Sequence, residues 1–130
     1  MIYEVRYFKT REFVCPCCGE GRTARLLVLY LDLLRAAWGE AVTVNSGWRC
    51  EAHNTAVGGS KNSRHKTGCA ADVRVRSGAR TGVDHATFVA LAMRLCRLPD
   101  WEVRAYDSFI HIATPRGEEA QIWDGNGITL

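Results

Sequence analysis

The sequence predicts an α+β fold built on an antiparallel sheet with two main helices. Two stretches, near residues 24–38 and 81–98, carry apolar residues at helical spacing. Short β-branched or alternating runs dominate the C-terminal half, while helices are few. The length of 130 residues suits one domain, taken as 1–130, with enough chain to bury a real core.

Each element has a local reason. Residues 1–22 read as irregular and carry a CPCCG cluster. Thr23 is a candidate cap for a helix over Ala24–Trp38, in which Leu26, Leu27, Tyr30, Leu33, Leu34, Ala37 and Trp38 share a face. Gly39 stops it in the usual C-terminal position. Ala41–Val44 reads as a strand and Glu51–Val57 as a short helix before the Gly58-Gly59 turn. Residues 58–68 are loop by composition. Cys69–Arg76 alternates, with Ala71, Val73 and Val75 on one face and Asp72, Arg74 and Arg76 on the other. Thr81 and Asp84 form a capping box that opens the second helix, running to about Leu98 with Phe88, Leu91, Ala92, Leu95 and Cys96 inward. Pro99 ends it. Trp101–Tyr106, Phe109–Thr114 and a last run near Ala120–Trp123 read as strands.

Composition narrows the function. Apolar residues make up 47% and charged residues 24%, which excludes a disordered or collagen-like chain. The longest apolar run, Leu26–Leu31, is far short of the ~20 residues that span a bilayer, so no membrane association is expected. The N-terminus has no apolar signal core, so the chain is expected to be cytoplasmic as synthesised. The net charge of +3 is too mild to imply nucleic acid, and the aromatics do not interleave with the basic residues in a stacking platform. Seven basic residues stand between positions 49 and 80 against Glu51 and Asp72, which favours either an anionic ligand or a solvated loop face.

Reduced thiols are the default without a secretory signal. Cys15 and Cys18 form a CxxC with Cys17 between them. With Cys50, and His53 as an outside candidate, they give either a structural metal site or a disulfide. Cys69 and Cys96 read as small buried hydrophobes.

The chemistry concentrates in Ser63-x-His65-x-x-Gly68-x-Ala70-x-Asp72 and in the strand Phe109-Ile110-His111-Ile112. Two imidazoles and a carboxylate are a common catalytic zinc set with one position left for water. Spacing alone does not bring His111 to the other two.

These motifs, with the upstream Ser46-Gly47-Trp48-Arg49-Cys50, His53-Asn54 and Val57-Gly58-Gly59-Ser60, resemble the M15 zinc D-Ala-D-Ala peptidases. The resemblance is closest to the small phage and prophage members and covers most of residues 13–113. It implies the Hedgehog/DD-peptidase fold and Zn2+ held by His65, Asp72 and His111. It implies that Arg49 contacts a substrate carboxylate or the scissile carbonyl, and that Ser63 contacts substrate near the metal. The implied partner is the peptidoglycan stem peptide, cut at a D-Ala-D-Ala or L-Ala-D-Glu bond. A monomer is expected, reaching the cell wall after release or as part of a phage particle.

The sequence departs from that pattern where the catalytic acid is expected, three residues before the last histidine, because Ser108 stands there. Asp107 is the nearest acid and the candidate base, with Glu118 or Glu119 as the alternative. On a regular strand Asp107 faces away from the site unless a bulge re-aims it. Ala113 replaces an aspartate that close relatives often carry two residues after the histidine. Two readings follow: a zinc peptidase, or a zinc-containing module that binds cell-wall peptide with weak or no turnover. Simpler roles stand beside these. Arg49 is a candidate ion-pair partner for Glu51 or Asp72, Trp48 a groove wall, His53 a structural residue, Asn54 a loop support and His85 a helix-surface residue.

Overall fold

The helical spacing read from residues 24–38 becomes α1 (Arg25–Trp38) in a computed structural model of the chain, which describes residues 1–76 and 85–130. Around it, in chain order, lie β1 (Ile2–Tyr3), β2 (Val42–Ser46), α2 (Glu51–Ala56), β3 (Ala70–Val75), α3 (His85–Cys96), β4 (Glu102–Ala105), β5 (Ile110–Ala113) and β6 (Ile128–Thr129). Among the described residues, 3-10 turns occupy Thr10–Phe13, Arg64–Thr67 and Glu118–Ala120. The capping box of Thr81 and Asp84 lies outside the described residues.

The alternating runs pair as an antiparallel sheet in the order β2-β3-β5-β4, and β1 pairs with β6 in a separate two-stranded ribbon. One face of the larger sheet takes Val73, Val75, Ile110 and Ile112 into the core. There they meet Leu27, Val28, Leu31, Leu34 and Trp38 of α1 and Phe88, Ala92 and Cys96 of α3. Trp38 and Phe88 pack edge to face with centroids 5.3 Å apart. Cys69 and Cys96 are fully buried, as their types predict.

Two expectations need correction. Thr23 does not cap α1: Ala24 occupies the N-cap position and offers no side-chain bond. Instead the Arg25 N–H donates to the Gln121 carbonyl at 2.9 Å, so the backbone of a later segment satisfies the helix start. The strand expected near Ala120–Trp123 is likewise absent. A 3-10 turn led by Gly117, at φ 102°, fills Glu118–Ala120, and Ile122 makes one isolated bridge to Ala24. The last strand is β6, which closes on β1 rather than on the main sheet. The N-terminal segment is also less irregular than its composition implies. Asp32, buried on α1, accepts hydrogen bonds from the Tyr3 hydroxyl at 2.7 Å and from the Tyr7 N–H at 2.9 Å.

Candidate metal centre

The second face of the sheet builds the site. Across it, antiparallel pairing sets Ser46 opposite Asp72, Asp72 opposite His111, and His111 opposite Arg104. Residues paired across neighbouring strands point to the same face, so these side chains form one row. The register of Ser46 depends on a bulge between Val44 and Ser46. Asn45 is the extra residue, and its side chain accepts from the Arg74 guanidinium at 2.9 Å instead of facing Asp72. The polar face of β3 is therefore covered at Asp72, which is buried, and open at Arg74.

The covering piece is the turn that carries His65. Ser63 caps it by accepting from the His65 N–H at 3.2 Å, and Gly68 closes it at φ 88°. Any side chain at Gly68 would also run into the Arg22 carbonyl oxygen. The Trp48 indole donates to the Lys66 carbonyl at 2.8 Å, and the Arg49 N–H donates to the His65 carbonyl at 3.1 Å. These bonds press the turn onto the sheet.

His65, Asp72 and His111 thereby converge, each offering a ligand atom within 4.8 Å of the others. His65 Nε2 lies 3.2 Å and His111 Nδ1 lies 3.0 Å from the same oxygen, Asp72 Oδ1. The opposite ring nitrogens have fixed acceptors. His65 Nδ1 donates to the Gly47 carbonyl at 2.8 Å, and His111 Nε2 donates to Glu102 Oε1 at 3.1 Å. With those protons placed, each neutral ring turns a lone pair toward Asp72 Oδ1. Three lone-pair donors facing one another suit a cation. Tetrahedral zinc with bonds of ~2.0–2.1 Å sets its ligands about 3.3 Å apart, close to the separations here. Burial alone would raise the Asp72 carboxyl, but when the facing ring nitrogens also carry protons their hydrogen bonds and charge, from His111 and His65, hold it well below the usual carboxylate range. It is the ionised form that a metal takes.

The centre lies in an open cleft of about 450 Å³ lined by four arginines, Arg49, Arg64, Arg104 and Arg116. Its only carboxylates among the described residues are Asp72 and Glu102. Arg49 pairs with Asp72 Oδ2 at 3.3 Å, using the oxygen turned from the histidines, and its Nε donates to Ser46 Oγ at 3.0 Å. The ion pair with Asp72 foreseen for Arg49 is thus present, while Glu51 pairs instead with Lys66 at 2.7 Å. Asn54 is buried and supports the loop, donating to the Ser60 carbonyl at 2.9 Å and accepting from Arg49 at 3.3 Å.

Asp107 stands apart. It is exposed at the bend between β4 and β5 and does not line the cleft. Glu118 and Glu119 do not line it either, and Glu119 is drawn to the Cys69 thiol. The acid that does reach the site is Glu102, which reading along β5 alone misses. It sits opposite Ala113, diagonal to His111 on the same face. Burial would raise its carboxyl, but the His111 hydrogen bond and the Arg64 and Arg104 charges lower it. The bonding signal in the sequence was the short β4–β5 turn, which fixes that register.

The cysteines gather at a separate place. Cys15, Cys17 and Cys50 bring their sulfurs within 4.8 Å of one another, with Cys17 in the tight group where the CxxC spacing favoured Cys18. His53 contributes its backbone N–H to the Cys50 sulfur at 3.4 Å.

No curated protein matches the chain. The family model of Peptidase M15 matches residues 6–113, a span that holds His65, Asp72, His111 and the arginines up to Arg104. Its α+β architecture, with antiparallel sheets and two main helices, agrees with an M15 peptidase-like fold. A fold of that class, a convergent histidine–aspartate–histidine set and a match over most of the chain make this protein a member of the M15 peptidase family.

Proposed function

We propose that the protein is a zinc metallopeptidase that cleaves a bond in the peptidoglycan stem peptide, of the D-Ala-D-Ala or L-Ala-D-Glu type. One observation carries the reading: three lone-pair donors converge at the floor of an arginine-lined cleft. Zinc held by His65, Asp72 and His111 would supply an activated water and polarise the scissile carbonyl. The chain's own residues set the conditions for that chemistry. The Gly47 carbonyl and the Glu102 carboxylate hold the two imidazole tautomers. Arg49 presents a guanidinium beside the centre, fixed by Ser46 and Asn54, where it can bind a substrate carbonyl or carboxylate. Ser63 lines the same cleft. Stem peptides carry free carboxylates at and near their termini, and the arginines offer them charge-assisted hydrogen bonds.

A second reading has its own observation. Ser108 occupies the expected acid position, Asp107 is outside the cleft, and Glu102 is already paired with His111 and with Arg104 at 3.1 Å. A carboxylate held that way is a weak proton acceptor, so a module that binds stem peptide with little turnover is the alternative. Mass spectrometry of purified sacculi incubated with zinc-loaded protein separates the two. Release of alanine, or a cut next to glutamate, supports the peptidase and names the bond. Unchanged muropeptides with co-sedimentation of zinc-loaded protein support the binding module.

A further inference from the structure

We propose that Cys15, Cys17, Cys18 and Cys50 form a second, structural metal site that takes zinc. The Cys50 sulfur lies 3.7 Å from the Cys15 sulfur and 3.7 Å from the Cys17 sulfur. A tetrahedral zinc thiolate with bonds of ~2.3 Å places its sulfurs about 3.8 Å apart. Cys18 lies outside the tight trio of Cys15, Cys17 and Cys50, and its CxxC spacing from Cys15 makes it the fourth ligand of the proposed site. A disulfide would join one pair only and leave the remaining thiols crowded at the same spot, whereas one metal ion satisfies all four.

The backbone is arranged around Cys15 in the same sense. N–H groups of Cys50, Cys17 and Cys18 are directed at its sulfur. Gly19, at φ 74°, turns the chain back so that its N–H donates to the Cys15 carbonyl at 2.7 Å, and the Cys15 N–H donates to the Glu20 carbonyl at 2.7 Å.

Its position gives the site a purpose. Cys15 stands two residues after Phe13, whose carbonyl accepts from the Trp48 N–H at 2.9 Å, and Cys50 follows Arg49. A metal bridging them fastens the N-terminal segment to the stretch that carries Gly47, Trp48 and Arg49. It would stabilise the wall of the cleft without touching substrate.

Cobalt substitution of the reduced protein tests this, because a cobalt thiolate has a near-ultraviolet charge-transfer band that a histidine–carboxylate centre lacks. The band is expected in the wild type and in the His65→Ala/His111→Ala variant, and its loss is expected in Cys50→Ser. Elemental analysis should give two zinc ions per chain, halved in either variant. Absence of the thiolate band from cobalt-loaded wild type would overturn the proposal, as would a disulfide-linked Cys50 peptide in non-reducing mass mapping of the metal-loaded protein. If Cys50→Ser fails to fold, the wild-type spectrum alone decides. Failure of the peptidase reading would leave this band in place.

Discussion

Glu102 acts on the candidate centre through His111, accepting its Nε2 proton at 3.1 Å while Arg64 and Arg104 flank the carboxylate. Partners of this kind orient a ligating imidazole and raise its basicity, and losing one typically weakens metal affinity ~10–100-fold. Glu102→Ala should therefore weaken zinc binding at the histidine centre by that order, and Glu102→Gln, which keeps a carbonyl acceptor, by less. Competition against a chromophoric chelator measures both. Asp107→Ala, at an exposed residue that does not line the cleft, should leave zinc affinity unchanged in the same assay. The candidate ligands His65, Asp72 and His111 were legible because their residue types suit a metal and the M15 resemblance joins His111 to the other two. Glu102 was hidden because its role comes from strand pairing: on its own strand it reads as an ordinary polar residue.

At the scale of elements, Gly47 shows how the end of β2 serves the turn that carries His65. A Cβ there would lie 2.6 Å from the Phe13 Cα and carbonyl oxygen, so only glycine lets the two segments touch. Gly47→Ala should cost about 1–3 kcal/mol, the usual range for forced overpacking, in chemical denaturation. It should also weaken zinc binding, because the displaced Gly47 carbonyl holds His65. The main elements were legible where periodicity and punctuation agree, as in α1, which ends at Gly39 in the left-handed conformation. The start of α1 was not, because a carbonyl from Gln121 replaces a capping side chain. The Asn45 bulge is equally silent in the sequence, yet it is what places Ser46 beside Asp72.

The whole molecule couples its stability to the centre. Asp72 is held well below the usual carboxylate range by His111 and His65, so its folded value lies below its unfolded value of about 3.9. Its contribution is present above about pH 4 and is lost as pH falls through the folded value. Denaturation of the chelated protein should show stability falling with acid in that window, and Asp72→Asn should flatten the fall. The α+β class was readable from the sequence, since few helices and many short strands leave little choice. The closure of β1 on β6 was not, because two-residue strands carry no periodic signal. The central claim is that the histidine–aspartate–histidine centre cleaves the stem peptide. Its most direct test is mass analysis of a synthetic stem pentapeptide incubated with wild type after chelation and again after zinc is restored, with His111→Ala in parallel. The account predicts cleavage that disappears with chelation, returns with zinc and is absent in His111→Ala. An intact peptide with zinc bound, or equal cleavage by the chelated protein, would contradict it.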